Sequence, residues 1–138
     1  MVKNYLLDTN VWIHYLKFAG PIEAKLRVTP ANQILVCSVV RAELLHGARK
    51  YGKPEEREAR VMRTLSPYRS LPFDDRAARS YARIRHELEI AGQIIGPNDL
   101  FIAAIADAHR LTLVTSNREF SRIDGLLVED WLKTDSPA

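Results

Sequence analysis

Residues 5–10 read YLLDTN, and this segment sets the expected fold. The apolar run from Tyr5 to Leu7 predicts a short buried strand, and the polar residues Asp8 to Asn10 predict the loop in which the strand ends. Four more apolar runs of strand length follow along the chain, with helical segments between them. Strands that alternate with helices are typical of an α/β fold in which helices cover both faces of a mainly parallel sheet. We therefore predict a three-layer α/β/α sandwich with five strands.

The helical segments have recognisable starts and stops. We expect Asp74 to cap a long amphipathic helix that ends at Gly92, and Ser38 to cap the helix after the second strand. The segment from Pro97 to Ala106 is apolar on nearly all sides, so we expect it to be buried. The predicted strands are 5–7, 33–37, 69–73, 111–115 and 126–128, and the predicted helices are 11–18, 22–28, 39–51, 54–66, 75–91 and 97–106.

The composition is that of one globular domain. The chain has 138 residues, of which 46% are hydrophobic and 27% charged, and no repeat or linker divides residues 1–138. Cys37 is the single cysteine, and its apolar neighbours predict a buried, unreactive thiol and a reducing compartment. No apolar run approaches the ~18 residues of a membrane span, and Asp8, Asn10 and His14 interrupt the apolar stretch that a secretory signal needs. We therefore expect a cytoplasmic protein without a membrane anchor.

The charge favours a phosphate-bearing partner. The formal net charge is +3, and 14 of the 20 basic residues are arginine. The guanidinium group pairs with phosphate oxygens through two parallel hydrogen bonds, so an arginine-rich surface suits nucleic acid.

Acidic and amide side chains from distant parts of the chain are expected at one edge of the sheet. Asp8 ends the first strand, Glu43 lies in the second turn of the helix after the second strand, and Asp99 lies in the first turn of the buried helix. Asn117 and Glu119 follow the fourth strand. The carboxyl ends of parallel strands share one edge with the N-termini of the returning helices, and ligands bind beyond that edge.

These side chains predict a metal site at that edge. A ligand set of carboxylate oxygens, here Asp8, Glu43 and Asp99, selects Mg²⁺, with Mn²⁺ able to substitute. The four histidines are scattered and match no zinc motif. In a basic protein such a site suits phosphodiester hydrolysis, because the ion activates water and neutralises charge on the phosphoryl oxygens.

At these residues the chain resembles the PIN-domain ribonucleases, and among them the VapC-type toxins of bacterial toxin–antitoxin pairs. The matching segments cover nearly the whole length in the right order: Leu6–Asn10, Ser38–Ala48, Gly96–Ala104, Leu113–Phe120 and Leu127–Trp131.

The resemblance implies a Mg²⁺-dependent endoribonuclease that cleaves RNA, tRNA among the candidate substrates, as the toxin of such a pair. It also implies a homodimer, a small DNA-binding antitoxin that blocks the site, and a larger toxin–antitoxin assembly. The family's three principal acids correspond to Asp8, Glu43 and Asp99. Glu119 is the candidate fourth catalytic acid, with Asn117 as the neutral alternative. Residues expected to orient the carboxylates or bound water are Asn10, Thr115 and Asn117.

One alternative function stays open at this stage. A PIN domain that lacks catalysis and serves as a protein-binding or RNA-binding module is the alternative function, although such a module gains nothing from three acids beside anionic RNA. The antitoxin is expected to present an arginine to the acids and to cover an apolar surface near the early helices. The candidate residues of that surface are Val11, Trp12, Tyr15 and Leu16.

Overall fold

Strand β1 lies at the centre of a five-stranded sheet in which every neighbouring pair is parallel. The computed structural model describes residues 2–133, and the strand order is β3-β2-β1-β4-β5. The strands are β1 (Tyr5–Leu7), β2 (Ile34–Cys37), β3 (Arg69–Leu71), β4 (Thr112–Val114) and β5 (Val128–Glu129). The described helices are α1 (Thr9–Phe18), α2 (Gly20–Val28), α3 (Ser38–Arg49), α4 (Pro54–Leu65), α5 (Asp75–Ala91) and α6 (Pro97–Ala108).

The strand order creates a crevice beside β1. From β1 the chain continues through α1 and α2 to β2 on one side, whereas β4 pairs with β1 on the other side. When the connections from two neighbouring strands run to opposite sides of the sheet, they leave a crevice between them at the carboxyl edge. Ligands of open α/β sheets bind in this crevice. The residues that follow β1 and β4 therefore line the expected binding crevice.

The core contains the elements that the apolar patterns predicted. Leu6 and Leu7 of β1 have no exposed surface, and neither do Ile102 and Ile105 of α6. Helix α6 is thus the buried helix expected from its sequence, and it packs against α5 and α3. Cys37 is fully buried and forms no disulfide, and burial raises the pKa of its thiol to about 11. The predicted buried thiol is confirmed.

Caps define the ends of α5. The Asp74 side chain accepts a hydrogen bond from the Ala77 N–H at 3.0 Å, and Gly92 ends the helix with φ +66°. Both features agree with the prediction, because a carboxylate satisfies a free N–H at a helix start and glycine adopts the left-handed conformation at little cost.

Several predicted boundaries are wrong. Helix α1 begins at Thr9 rather than Val11, because Asp8 caps it directly. Cys37 occupies the N-cap position of α3, so Ser38 is the first helical residue instead of the cap, and α3 ends at Arg49. Strand β3 ends at Leu71, because Pro72 has no N–H to donate to the sheet. Phe73 then packs against Tyr81 and Phe101. Strand β5 covers 128–129 rather than 126–128.

Within the described residues, no helix has the length and apolarity that crossing a bilayer requires.

Candidate active site

Asp8 lies at the end of the central strand and starts helix α1. Its backbone N–H continues the sheet by donating to the Val114 carbonyl at 2.9 Å, and its side chain is only 4% exposed. The two carboxylate oxygens accept separate hydrogen bonds: Oδ1 from the Thr9 N–H and Oδ2 from the Thr115 hydroxyl, both at 2.8 Å. Asp8 is therefore held in one orientation by Thr9, the first residue of α1, and by Thr115, which follows β4.

Glu43 reaches the same edge from α3. It lies one and a half turns into the helix and is half-buried. Its Oε1 accepts a hydrogen bond of 2.6 Å from the Thr9 hydroxyl, and its Oε2 accepts one of 3.3 Å from the Asn98 amide. Thr9 therefore contacts both Asp8 and Glu43.

Asp99 comes from the first turn of α6. Gly96 and Pro97 begin this helix, as is usual for a proline in the first turn, and so place Asp99 at the crevice. Its Oδ2 accepts a long hydrogen bond of 3.4 Å from the Asn117 amide. The half-buried Asp99 side chain is thus less tightly held than that of Asp8.

The segment after β4 connects these acids. The Asn117 N–H donates to the Thr115 hydroxyl, and the Asn117 side-chain oxygen accepts from the Glu119 N–H, both at 3.0 Å. Asn117 thereby caps a short 3₁₀ helix, Arg118–Arg122. The Glu119 carboxylate lies 3.6 Å from the Arg122 guanidinium, so this acid already has a cationic partner.

The other acids form an uncompensated negative cluster. Burial raises the pKa of Asp8, the hydrogen bonds from Thr115 and Thr9 counteract the rise, and the charge of Glu43 adds to it. Burial also raises the pKa of Asp99, to about 6, together with the charges of Asp8, Glu43 and Glu119. Within residues 2–133, no lysine or arginine forms an ion pair with Asp8, Glu43 or Asp99. Neighbouring carboxylates without a counter-charge are unfavourable, and a cation relieves their repulsion.

The chemistry of the cluster fits a divalent cation that prefers oxygen ligands. The donors are carboxylate oxygens, and a carboxylate oxygen that accepts one hydrogen bond keeps a second acceptor position. Among the described side chains, however, no group of three Asp, Glu, His or Cys residues is arranged to hold one ion as it stands. A shared ion thus requires adjustment of Glu43 or Asp99, which are half-buried and therefore freer to move than Asp8.

The predicted residues are brought together with one exception. Asp8, Glu43 and Asp99 meet at the carboxyl edge, Thr115 contacts Asp8, and Asn117 contacts Asp99. Asn10, predicted to orient the carboxylates, is exposed on α1 and makes no recorded hydrogen bond with any of the four acids. Helix α1 begins one residue before Asn10, so Asn10 is an exposed residue of the first helical turn rather than a loop residue.

Two residues that contact Glu43 were not predicted from the sequence, Thr9 and Asn98. Thr9 directly follows Asp8, and Asn98 directly precedes Asp99. This adjacency to a predicted acid was the one signal in the sequence. Their contacts with Glu43 cross between elements, so only the folded chain reveals them.

The expected antitoxin surface is partly wrong. Val11 and Trp12 have no exposed surface and belong to the core, whereas Tyr15 and Leu16 are half-buried and remain accessible. On the exposed side of the same helix, Phe18 is 68% exposed.

Comparisons with known proteins agree with this architecture. The PIN domain family model matches residues 5–126. Ribonuclease VapC2 of Rickettsia felis is 38% identical over 132 residues, which cover 94% of this chain and 98% of the relative. The tRNA(fMet)-specific endonuclease VapC of Shigella flexneri is 38% identical over 130 residues, which cover 92% of this chain and 97% of the relative.

A solved structure shows the same fold. The crystal structure of DNA-bound VapBC from Salmonella typhimurium superimposes with a TM-score of 0.89 at 35% identity, and the match covers 94% of this chain and 99% of the other. This likeness confirms the predicted three-layer sandwich, and the sequence relatives confirm the predicted resemblance. The chain belongs to the PIN domain family and, within it, to the VapC ribonucleases.

Proposed function

We propose that this chain is the toxin of a toxin–antitoxin pair, an endoribonuclease that hydrolyses RNA phosphodiester bonds with Mg²⁺ or Mn²⁺ and acts as a single PIN domain. The observation that carries the proposal is the uncompensated cluster of Asp8, Glu43 and Asp99 at the carboxyl edge, with Glu119 close enough to raise the pKa of Asp99. Carboxylates repel an RNA phosphate unless a cation lies between them, so the cluster suits metal-assisted hydrolysis better than simple RNA binding.

The residues of the cluster have distinct tasks in this proposal. Asp8, Glu43 and Asp99 hold the metal, and Glu119 is the fourth acid of the site. When bound, the metal supplies Lewis-acid stabilisation of the phosphoryl oxygens and an activated water. Thr115 and Thr9 keep the Asp8 carboxylate oriented.

Asn117 links the two halves of the crevice through its contacts with Thr115 and Asp99. Asn117 is neutral and is itself a hydrogen-bond donor to Asp99. We therefore assign the fourth acidic position to Glu119 and an orienting role to Asn117.

Direct cleavage assays test the proposal. Purified chain is incubated with a mixed RNA pool and with tRNA in Mg²⁺, in Mn²⁺ and in excess EDTA, beside the Asp99→Asn variant. We include initiator tRNA first, because the Shigella flexneri relative is named a tRNA(fMet)-specific endonuclease. We expect cleavage that requires the metal and is lost in Asp99→Asn. Full cleavage in EDTA contradicts the mechanism, and RNA binding without cleavage in any metal favours the catalytically silent module.

The proposed partner is a small DNA-binding antitoxin. Related solved structures include the VapBC complexes of Rickettsia felis and Salmonella typhimurium, both bound to DNA. The acid cluster calls for a cationic side chain from such a partner, and arginine is best suited because it stays charged and pairs with carboxylates through two hydrogen bonds. Tyr15 and Leu16 are the accessible apolar anchors on α1. We further propose that the toxin is a cytoplasmic homodimer and that it joins a larger assembly with its antitoxin.

A further inference from the structure

We infer that Thr9 is the positioning residue of the acid cluster. This one residue joins the Asp8 and Glu43 halves of the metal site, the first through its backbone N–H and the second through its hydroxyl. The inference rests on the proposed function, because it concerns how the same site is organised. Thr9 donates its backbone N–H to Asp8 at 2.8 Å and its hydroxyl to Glu43 at 2.6 Å. It is 8% exposed, and its bond to Asp8 is buried whereas its bond to Glu43 is partly buried.

The two hydrogen bonds that Thr9 donates differ from those of an ordinary helix start. The side chain of an N-cap residue usually accepts from the second or third N–H of the helix, whereas Asp8 accepts from Thr9, the first residue of α1. The hydroxyl–carboxylate distance of 2.6 Å lies in the range of a hydrogen bond to an ionised acceptor. A hydroxyl has one proton to donate, and Thr9 uses it on Glu43 rather than on the helix backbone.

Glu43 needs such a partner. Its side chain extends from α3 over several rotatable bonds, and ordering a glutamate costs more side-chain entropy than ordering most residues. The second bond, from Asn98 at 3.3 Å, is longer than a typical N–H···O bond. Thr9 is thus the stronger of the two contacts that direct Glu43 toward Asp8.

Two substitutions separate the contribution of the Thr9 hydroxyl from that of its methyl group. Thr9→Val keeps the shape and loses the donor, and Thr9→Ser keeps the donor and loses a methyl group. Thr112→Val is the matched control, because Thr112 is a similarly buried threonine in β4 whose side chain makes no recorded hydrogen bond within residues 2–133. Urea unfolding curves establish that each variant folds, and Thr9→Ala replaces Thr9→Val if the latter does not.

The main measurement is the affinity of the metal-free proteins for Mn²⁺. The electron paramagnetic resonance signal of free Mn²⁺ reports how much of the ion is bound. Residues that orient metal ligands contribute about 10–100-fold to metal affinity, so we expect a loss of this size in Thr9→Val. We expect Thr9→Ser to recover most of the affinity and Thr112→Val to bind as the wild type does. With RNA at saturating Mg²⁺, kcat should fall in Thr9→Val while KM stays unchanged.

Three outcomes overturn the inference. Wild-type Mn²⁺ affinity in Thr9→Val, with RNA cleavage intact in the wild-type protein, refutes the role of Thr9 and leaves the proposed function standing. Equal losses in Thr9→Ser and Thr9→Val assign the effect to packing of the methyl group and also refute it. If the wild-type protein binds no Mn²⁺ and cleaves no RNA, the proposed function and this inference fail together.

Discussion

Replacing Asp99 with asparagine should stabilise the metal-free protein at neutral pH. The change removes one charge from a cluster in which burial and the charges of Asp8, Glu43 and Glu119 raise the pKa of Asp99. Asparagine keeps a similar shape and avoids both the desolvation of a charge and the repulsion.

The size of the gain follows from the pKa. The pKa of Asp99 is raised from 3.8 to about 6, and each pKa unit corresponds to about 1.4 kcal/mol in the free energy of unfolding. A fully buried group would therefore give about 3 kcal/mol. Asp99 is only half-buried, so we halve this figure for solvent screening and expect about 1.5 kcal/mol at pH 7.5.

The gain must depend on pH with a definite sign. Below pH 3.8 the side chain is protonated in both the folded and the unfolded chain, so the charge costs nothing. Between pH 3.8 and about 6 the unfolded chain loses its proton first, and the wild-type protein loses stability as the pH rises. The advantage of Asp99→Asn is thus complete above pH 6 and mostly gone at about pH 4.

Urea unfolding in EDTA measures the effect, with the fluorescence of the buried Trp12 and Trp131 as the signal. Asp124→Asn is the matched control, because it removes the same charge from an exposed loop position. Added Mg²⁺ should stabilise the wild type more than Asp99→Asn, since a ligand stabilises the state that binds it. The reasoning is refuted if Asp99→Asn is no more stable than the wild type at pH 7.5. It is also refuted if the gain in stability over the wild type is as large at pH 4 as at pH 7.5.

Three further predictions concern other parts of the molecule. Glu119→Gln should reduce RNA cleavage less than Asp99→Asn, because Glu119 is already paired with Arg122; steady-state kinetics decide this, and the reverse order contradicts the assignment of the site. Cys37 should react with Ellman's reagent at pH 8 only as fast as the protein unfolds, because it is fully buried and its pKa is raised to about 11; labelling faster than unfolding contradicts its burial. An antitoxin whose site-facing arginine is replaced by alanine should still bind while cleavage partly returns, and complete inhibition by that complex points to steric cover of the crevice instead.

Much of the site was predictable because chain direction in a parallel sheet determines which residues share an edge. Asp8 follows a strand, and Glu43 and Asp99 lie within the first two turns of helices, so their common location follows from the order of elements. The caps of α5 were likewise predictable, because Asp74 and Gly92 act on backbone groups only a few residues away.

Side-chain contacts between distant elements needed the tertiary structure. Phe73 joins an aromatic cluster with Tyr81 of α5 and Phe101 of α6, which no local pattern predicts. Trp12 was expected at a surface, yet packing against Tyr68, 56 positions away along the chain, encloses it completely. Both outcomes depend on partners that are distant in sequence.

The sequence by itself therefore determined the alternation of elements, the family and the edge at which the acids meet, since these follow from local hydrophobic patterns and from chain direction. The tertiary structure alone decided which neighbours hold the acids: Thr9 rather than Asn10, and Asn98 for the second oxygen of Glu43. The physical reason is that hydrogen bonds depend on distances of a few tenths of an ångström between atoms on different elements. Such distances are set when the helices pack against the sheet, and no spacing along the chain encodes them.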